Sequence, residues 1–193
     1  METELKMEES WKKHFPCVIL IGMPGAGKTT VGQVLANRLN WAFLDTDKII
    51  ESLYGTRLQA ITDHFGKEEF LKIEGKIICT LDASRCVIAT GGSVVYDRSA
   101  MEKLKSLGPV VFLDVPLSVL LKRIEKEPER GIAMAPGQTL EDLFNEREKL
   151  YKKYADTVIY TDDLSADKLA EEILNRLSLS NLNADTFSQE SGL

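Results

Sequence analysis

Short apolar runs rich in β-branched residues recur along the chain. Each is followed by a longer stretch whose apolar positions return with helical spacing. The runs cover residues 17–21, 41–44, 86–89, 110–113 and 157–160. They are apolar almost throughout, the pattern of strands covered on both faces in a parallel sheet. The stretches between them predict helices over 28–39, 47–54, 67–83, 97–107, 116–126, 139–154 and 165–177. Asp97, Thr139 and Ser165 stand at helix starts as N-caps. Strand–helix alternation predicts a three-layer α/β domain with ligands outside the carboxyl ends of the strands.

The two ends break this pattern. Residues 1–16 are polar, carry charges of both signs and end at Pro16, which predicts a loosely attached arm. Residues 178–193 are rich in Ser and Asn and poor in apolar residues, which predicts a flexible tail. The domain itself is expected over 17–177. Within it, residues 127–138 hold Pro128, Gly131, Pro136 and Gly137 without a regular period. A connection of that length in a compact domain predicts a mobile lid.

The first strand runs straight into Gly22-Met23-Pro24-Gly25-Ala26-Gly27-Lys28-Thr29-Thr30. This is G-x-x-x-x-G-K-[ST] with a strand before it and a helix after it, the context the motif requires. Glycines let backbone N–H groups turn toward phosphate oxygens, and the helix start adds its positive end. Lys28 is then expected to reach the β- and γ-phosphates of ATP, and the Thr29 hydroxyl to ligate Mg²⁺. The chain has no Asn-Lys-x-Asp for reading guanine. The third run leads into Thr90-Gly91-Gly92 without the carboxylate of a Walker B strand.

A carboxylate pair closes the second run, Leu44-Asp45-Thr46-Asp47. Beside a phosphate loop, Asp45 suits Mg²⁺, directly or through water. Asp47 suits the base that orients an acceptor hydroxyl and takes its proton. Taken alone, the pair reads equally well as a helix cap with a solvated neighbour.

In order, these motifs make the chain resemble the shikimate kinase family over residues 17–177. The resemblance adds Phe65-Gly66 with Phe70 and Glu74, then Ala89-Thr90-Gly91-Gly92-Ser93-Val94. It adds Arg130 in the lid, Glu146-Arg147 with Leu150-Tyr151, and Thr161-Asp162-Asp163. It implies a P-loop fold with a five-stranded parallel sheet. The implied reaction is ATP-dependent phosphorylation of a hydroxyl on a small carboxylic acid, shikimate to shikimate 3-phosphate, on the route to chorismate and the aromatic amino acids. It also implies Mg²⁺ linked to Asp45 and the acceptor hydroxyl held by Asp47. Gly91 and Gly92 would line the acceptor site. Arg130 would touch the transferred phosphate, Arg147 the acceptor carboxylate and Arg123 the adenine.

The departures fall on the acceptor side. Leu71 stands where the family carries a second carboxylate-binding arginine, and Ser93 replaces a glycine. The lid reads Arg130-Gly131-Ile132-Ala133, and Lys149 replaces a proline. Losing one charged contact weakens binding by roughly ten- to a hundredfold unless another group supplies it. Lys72, Lys67 and Arg57 are candidates for that group; each otherwise reads as an ordinary solvated helix charge. On these residues a kinase for another hydroxy acid, such as homoserine or a sugar acid, stays open. So does a silent nucleotide-binding module.

The 193 residues and 44% apolar content suit one globular domain. The net charge of −6, with no basic stripe, argues against nucleic acid as partner. Half of that charge lies in the arm and tail. The three cysteines form no Cys-x-x-Cys pair, which suits buried free thiols and a cytoplasmic protein. No apolar run approaches the roughly 18 residues of a membrane span, and the arm has no signal-peptide core. The expectation is a monomer.

Overall fold

The computed structural model describes residues 17–125, 132, 134, 137–161 and 164–179. Five parallel strands form one sheet: β1 (Val18–Ile21), β2 (Ala42–Asp45), β3 (Cys86–Ala89), β4 (Val110–Asp114) and β5 (Thr157–Tyr160). Their order is β2-β3-β1-β4-β5. Val18 pairs with Val87 on one side of the central strand, and Ile19 with Val110 on the other. All four residues of β1 are fully buried, as its unbroken apolar run predicts. The five-stranded parallel sheet of the α/β P-loop fold is as expected, and each strand falls on its predicted run.

The helices are α1 (Lys28–Leu39), α2 (Thr46–Tyr54), α3 (Leu58–Cys79), α4 (Arg98–Leu107), α5 (Leu117–Ile124), α6 (Leu140–Tyr154) and α7 (Ala166–Arg176). A 3-10 turn covers Val94–Tyr96. α1 buries Val31, Leu35, Ala36 and Leu39, one face at helical spacing. Gly32 lets that face approach the sheet: a Cβ there would lie 2.6 Å from the Phe43 ring. Asn40 then turns left-handed (φ 53°) and ends the helix, so Trp41 falls outside β2.

The three predicted caps all hold. Asp97 accepts from the Ala100 N–H and Ser165 from the Lys168 N–H. Thr139 and Asp142 form a reciprocal capping box.

One helix departs from expectation. α3 starts at Leu58 rather than at 67, and it ends at Cys79 rather than at 83. Gly66 (φ 74°, ψ 167°) interrupts it with a conformation that suits glycine. The break explains the misplaced start, because the turns on either side of Gly66 share no continuous apolar stripe. Ile61 and Phe70, from the two sides of the break, join Ile50 and Ile73 in a small cluster separate from the main core. The segment of α2 and α3 therefore rests on its own packing.

Leu177 and Leu179 pack against the main core, and the Leu179 N–H donates to the Leu174 carbonyl. Among the described residues, Cys17, Cys79 and Cys86 are free thiols. In the same set, no helix is long and apolar enough to cross a membrane.

Candidate active site

The loops after β1, β2 and β3 end side by side at the carboxyl edge of the sheet. In the first, Gly25 (φ 83°) and Gly27 (φ 90°) take left-handed conformations that a side chain would strain. The Lys28 ammonium is buried in the mouth of this loop, donating to the carbonyls of Gly22 (2.7 Å) and Met23 (3.0 Å). Ala26 is buried and Thr30 exposed at the first turn of α1. Arg123, from the end of α5, lies against the loop and donates to the Gly25 carbonyl at 3.0 Å.

The second loop carries the carboxylate pair. Asp45 ends β2 and caps α2, and its two oxygens do different work. Oδ1 accepts the N–H groups of Asp47 (3.0 Å) and Lys48 (3.4 Å). Oδ2 accepts the Thr29 hydroxyl at 2.8 Å, tying the pair to the phosphate loop. Thr46, fully buried between the two acids, accepts the Gly91 N–H at 3.0 Å. Three loops are thus joined by two short bonds. A hydroxyl and a carboxylate side by side form a hard-oxygen donor pair of the kind Mg²⁺ takes from a protein in a phosphate site.

Gly91 is pressed from both sides. A Cβ on it would run into Glu74 Oε1 and would lie 2.7 Å from Asp47 Oδ1. Glu74 comes from α3 and is fully buried. It accepts the Ser93 hydroxyl on Oε2 at 2.7 Å and no hydrogen bond on Oε1. Burial, and then the nearby Asp47 charge, push its carboxyl up to about 8; Ser93, Arg147 and Lys28 pull the other way. At neutral pH the group is mostly protonated.

Arg147, on α6, is 1% exposed. A Cβ on Gly92 would lie 3.2 Å from its Nη1, which sets the guanidinium beside the glycine loop. Its Nε donates to the Tyr96 hydroxyl at 3.3 Å, and its Cζ lies 5.2 Å from the Tyr96 ring centroid. Glu146 is held below the usual carboxylate range, first by its bond to Tyr96 and also by Gln138 and the charges of Lys67 and Arg147. Tyr151, one turn beyond Arg147, donates to the Gly92 carbonyl at 2.6 Å, and burial raises its phenol far above the usual value.

The structure therefore brings together Lys28, Thr29, Asp45, Asp47, Gly91, Gly92 and Arg147, with Arg123 beside the loop. Arg130 and most of the expected lid lie outside the described residues. Glu74 and Ser93 stand out in the sequence only as a motif residue and a departure, without the bond that joins them, and Thr46 and Tyr96 carry no role there. Thr46 sits between two acids already singled out, so its position was the one available signal. Tyr151 reads from sequence as a packing residue, yet its hydroxyl also holds the glycine loop.

Residues 24–178 match the family described as shikimate kinase. A relative from Erwinia tasmaniensis named shikimate kinase 1 is 38% identical over 167 residues, covering 84% of this chain and 96% of the relative. A shikimate kinase from a Sulfurihydrogenibium species is 34% identical over 161 residues, covering 83% of this chain and 96% of the relative. The solved structure of shikimate kinase from Acinetobacter baumannii in complex with shikimate superposes with a TM-score of 0.80 at 33% identity. It covers 90% of this chain and 98% of that one.

Proposed function

The chain belongs to the shikimate kinase family, and we propose that it transfers the γ-phosphoryl group of ATP to a hydroxyl of shikimate, giving shikimate 3-phosphate. One observation carries this reading. The phosphate loop, the carboxylate pair and the glycine loop are a single hydrogen-bonded unit, linked by Thr29 to Asp45 and by Thr46 to Gly91. A nucleotide seated on residues 22–30 therefore has its terminal phosphate beside Asp47.

The roles follow from placement and charge. The loop N–H groups and the start of α1 hold phosphate oxygens, with Thr30 at the exposed end of that turn. Lys28 turns from the loop carbonyls toward phosphate and offsets the charge that develops in transfer. Thr29 and Asp45 supply the Mg²⁺ oxygens, Asp45 directly or through water. Held there, Mg²⁺ would supply charge neutralisation of the phosphates. Asp47 accepts the hydrogen bond of the acceptor hydroxyl and takes its proton. Gly91 and Gly92 admit the acceptor close to the backbone, and Arg147 binds its carboxylate with a planar fork. Arg123 flanks the adenine, and Arg130 is assigned to the transferring phosphoryl group.

Three free thiols support a cytoplasmic setting. The test is steady-state ADP formation with shikimate, homoserine, gluconate and nucleoside monophosphates as acceptors. Shikimate-dependent turnover well above the others is expected. Turnover with another acid alone would move the assignment to that acid. ATP binding without any acceptor-stimulated turnover would make the chain a silent nucleotide-binding module.

A further inference from the structure

The acceptor side holds a second cation that the scheme above does not use. Lys67 is the first residue after the Gly66 break in α3, half-buried and on the same helix face as Leu71, one turn further on. Its Nζ lies 5.4 Å from the centroid of the Tyr96 ring. The Arg147 guanidinium lies 5.2 Å from that same centroid. A tyrosine face attracts either charge, but two cations on one ring repel each other. Glu146 lies in the field of both. Two cations thus share one ring, and one of them, Arg147, borders Gly92, where an anionic acceptor would meet them.

The other two candidates for the cation that Leu71 cannot supply are engaged elsewhere. Lys72 is exposed and paired with Glu69 at 2.9 Å. Arg57 lies beside Glu51 and helps hold that carboxyl down. Among the described residues the Lys67 ammonium makes no ion pair. We infer that Lys67 is the second carboxylate-binding residue of the acceptor site, acting with Arg147 across Tyr96 where Leu71 leaves the helix face apolar. This rests on the acceptor being the carboxylic acid proposed above. A lysine is a compact, strongly hydrated point charge rather than a fork. The contact should therefore be tolerant in angle and sensitive to salt.

The test compares wild-type protein, Lys67→Met and Lys67→Arg in steady-state assays, with shikimate and with its methyl ester as acceptors. Loss of the charge should raise the shikimate KM by roughly tenfold, the effect of one charged contact. The ATP KM and kcat should stay within about twofold, and the arginine variant near wild type. The methyl ester, which has no carboxylate charge, should be turned over equally well with or without Lys67. A shikimate KM unchanged in Lys67→Met would overturn the inference, as would an equal loss on the ester. Wild-type protein that turns over no shikimate would instead sink the reaction itself, before any variant is compared.

Discussion

Asp45 answers a choice that its sequence leaves open. Cap and metal residue are not alternatives for it, because one oxygen holds the start of α2 and the other faces Thr29. Asp47 has no capping duty among these bonds, so it is the group to remove. Asp47→Asn should lower kcat by about 10²–10⁴, the usual share of a positioned base, and leave ATP affinity nearly as it was. Isothermal titration with ATP beside a turnover assay checks both, and an unchanged kcat would refute the base role. Glu74 gives a pH signature of its own. Its carboxyl sits at about 8 in the folded protein against 4.5 for the ordinary group. The folded state thus holds a proton that the unfolded chain releases. That stabilisation is complete below pH 4.5 and is lost as pH rises through about 8. The Tm should therefore decline between pH 6 and 8.5, and Glu74→Gln, a neutral isostere, should flatten the decline. Melting curves across that range decide it; an equal decline in the variant would place the titrating group elsewhere.

At the scale of elements, what was legible in the sequence was local. The inner strands β1, β3 and β4 announced themselves because both their faces are buried, the edge strands β2 and β5 through apolar runs that are only partly covered, and caps such as Thr139 act within three residues of themselves. The phosphate loop and the Asp45–Asp47 pair were legible for the same reason. The unread part is built from separated segments. Ser93 meets Glu74 across 19 residues, and Tyr96 meets Arg147 across 51. No periodicity marks such a meeting. α3 was misplaced because its apolar faces on either side of Gly66 serve a small separate cluster rather than one stripe. The glycine loop shows how tightly these segments converge. Gly91→Ala drives a methyl between Glu74 and Asp47. Glu74, fully buried, cannot retreat freely from its packed surroundings. Shikimate turnover at fixed low concentration should fall at least about tenfold while the ATP KM changes little. Full activity in the alanine variant would mean that the two acids are not held as described.

For the whole molecule, net charge proves a poor guide to the site. Lys28, Lys67, Arg123 and Arg147 gather at one edge of an acidic protein, so a local field opposes the global one. The apolar core also extends past the last helix, because Leu177 and Leu179 fold back onto it. Ending the chain after residue 179 should leave kcat/KM and Tm near wild type. Ending it after 176 uncovers core surface and should cost about 1–3 kcal/mol, visible as a lowered Tm. Equal melting of the two truncated proteins would contradict that packing. Strand order has a practical side as well. With β2 and β3 together on one flank of β1, the groups that read the acceptor lie almost entirely within residues 46–96. The nucleotide is met by loop backbone of a kind common to a great many ATP-using proteins. A compound grown from the nucleotide half would inherit that lack of discrimination. One grown toward Lys67, Leu71 and Ser93 would meet side chains rather than shared loop backbone, and inhibitor selectivity should be sought there.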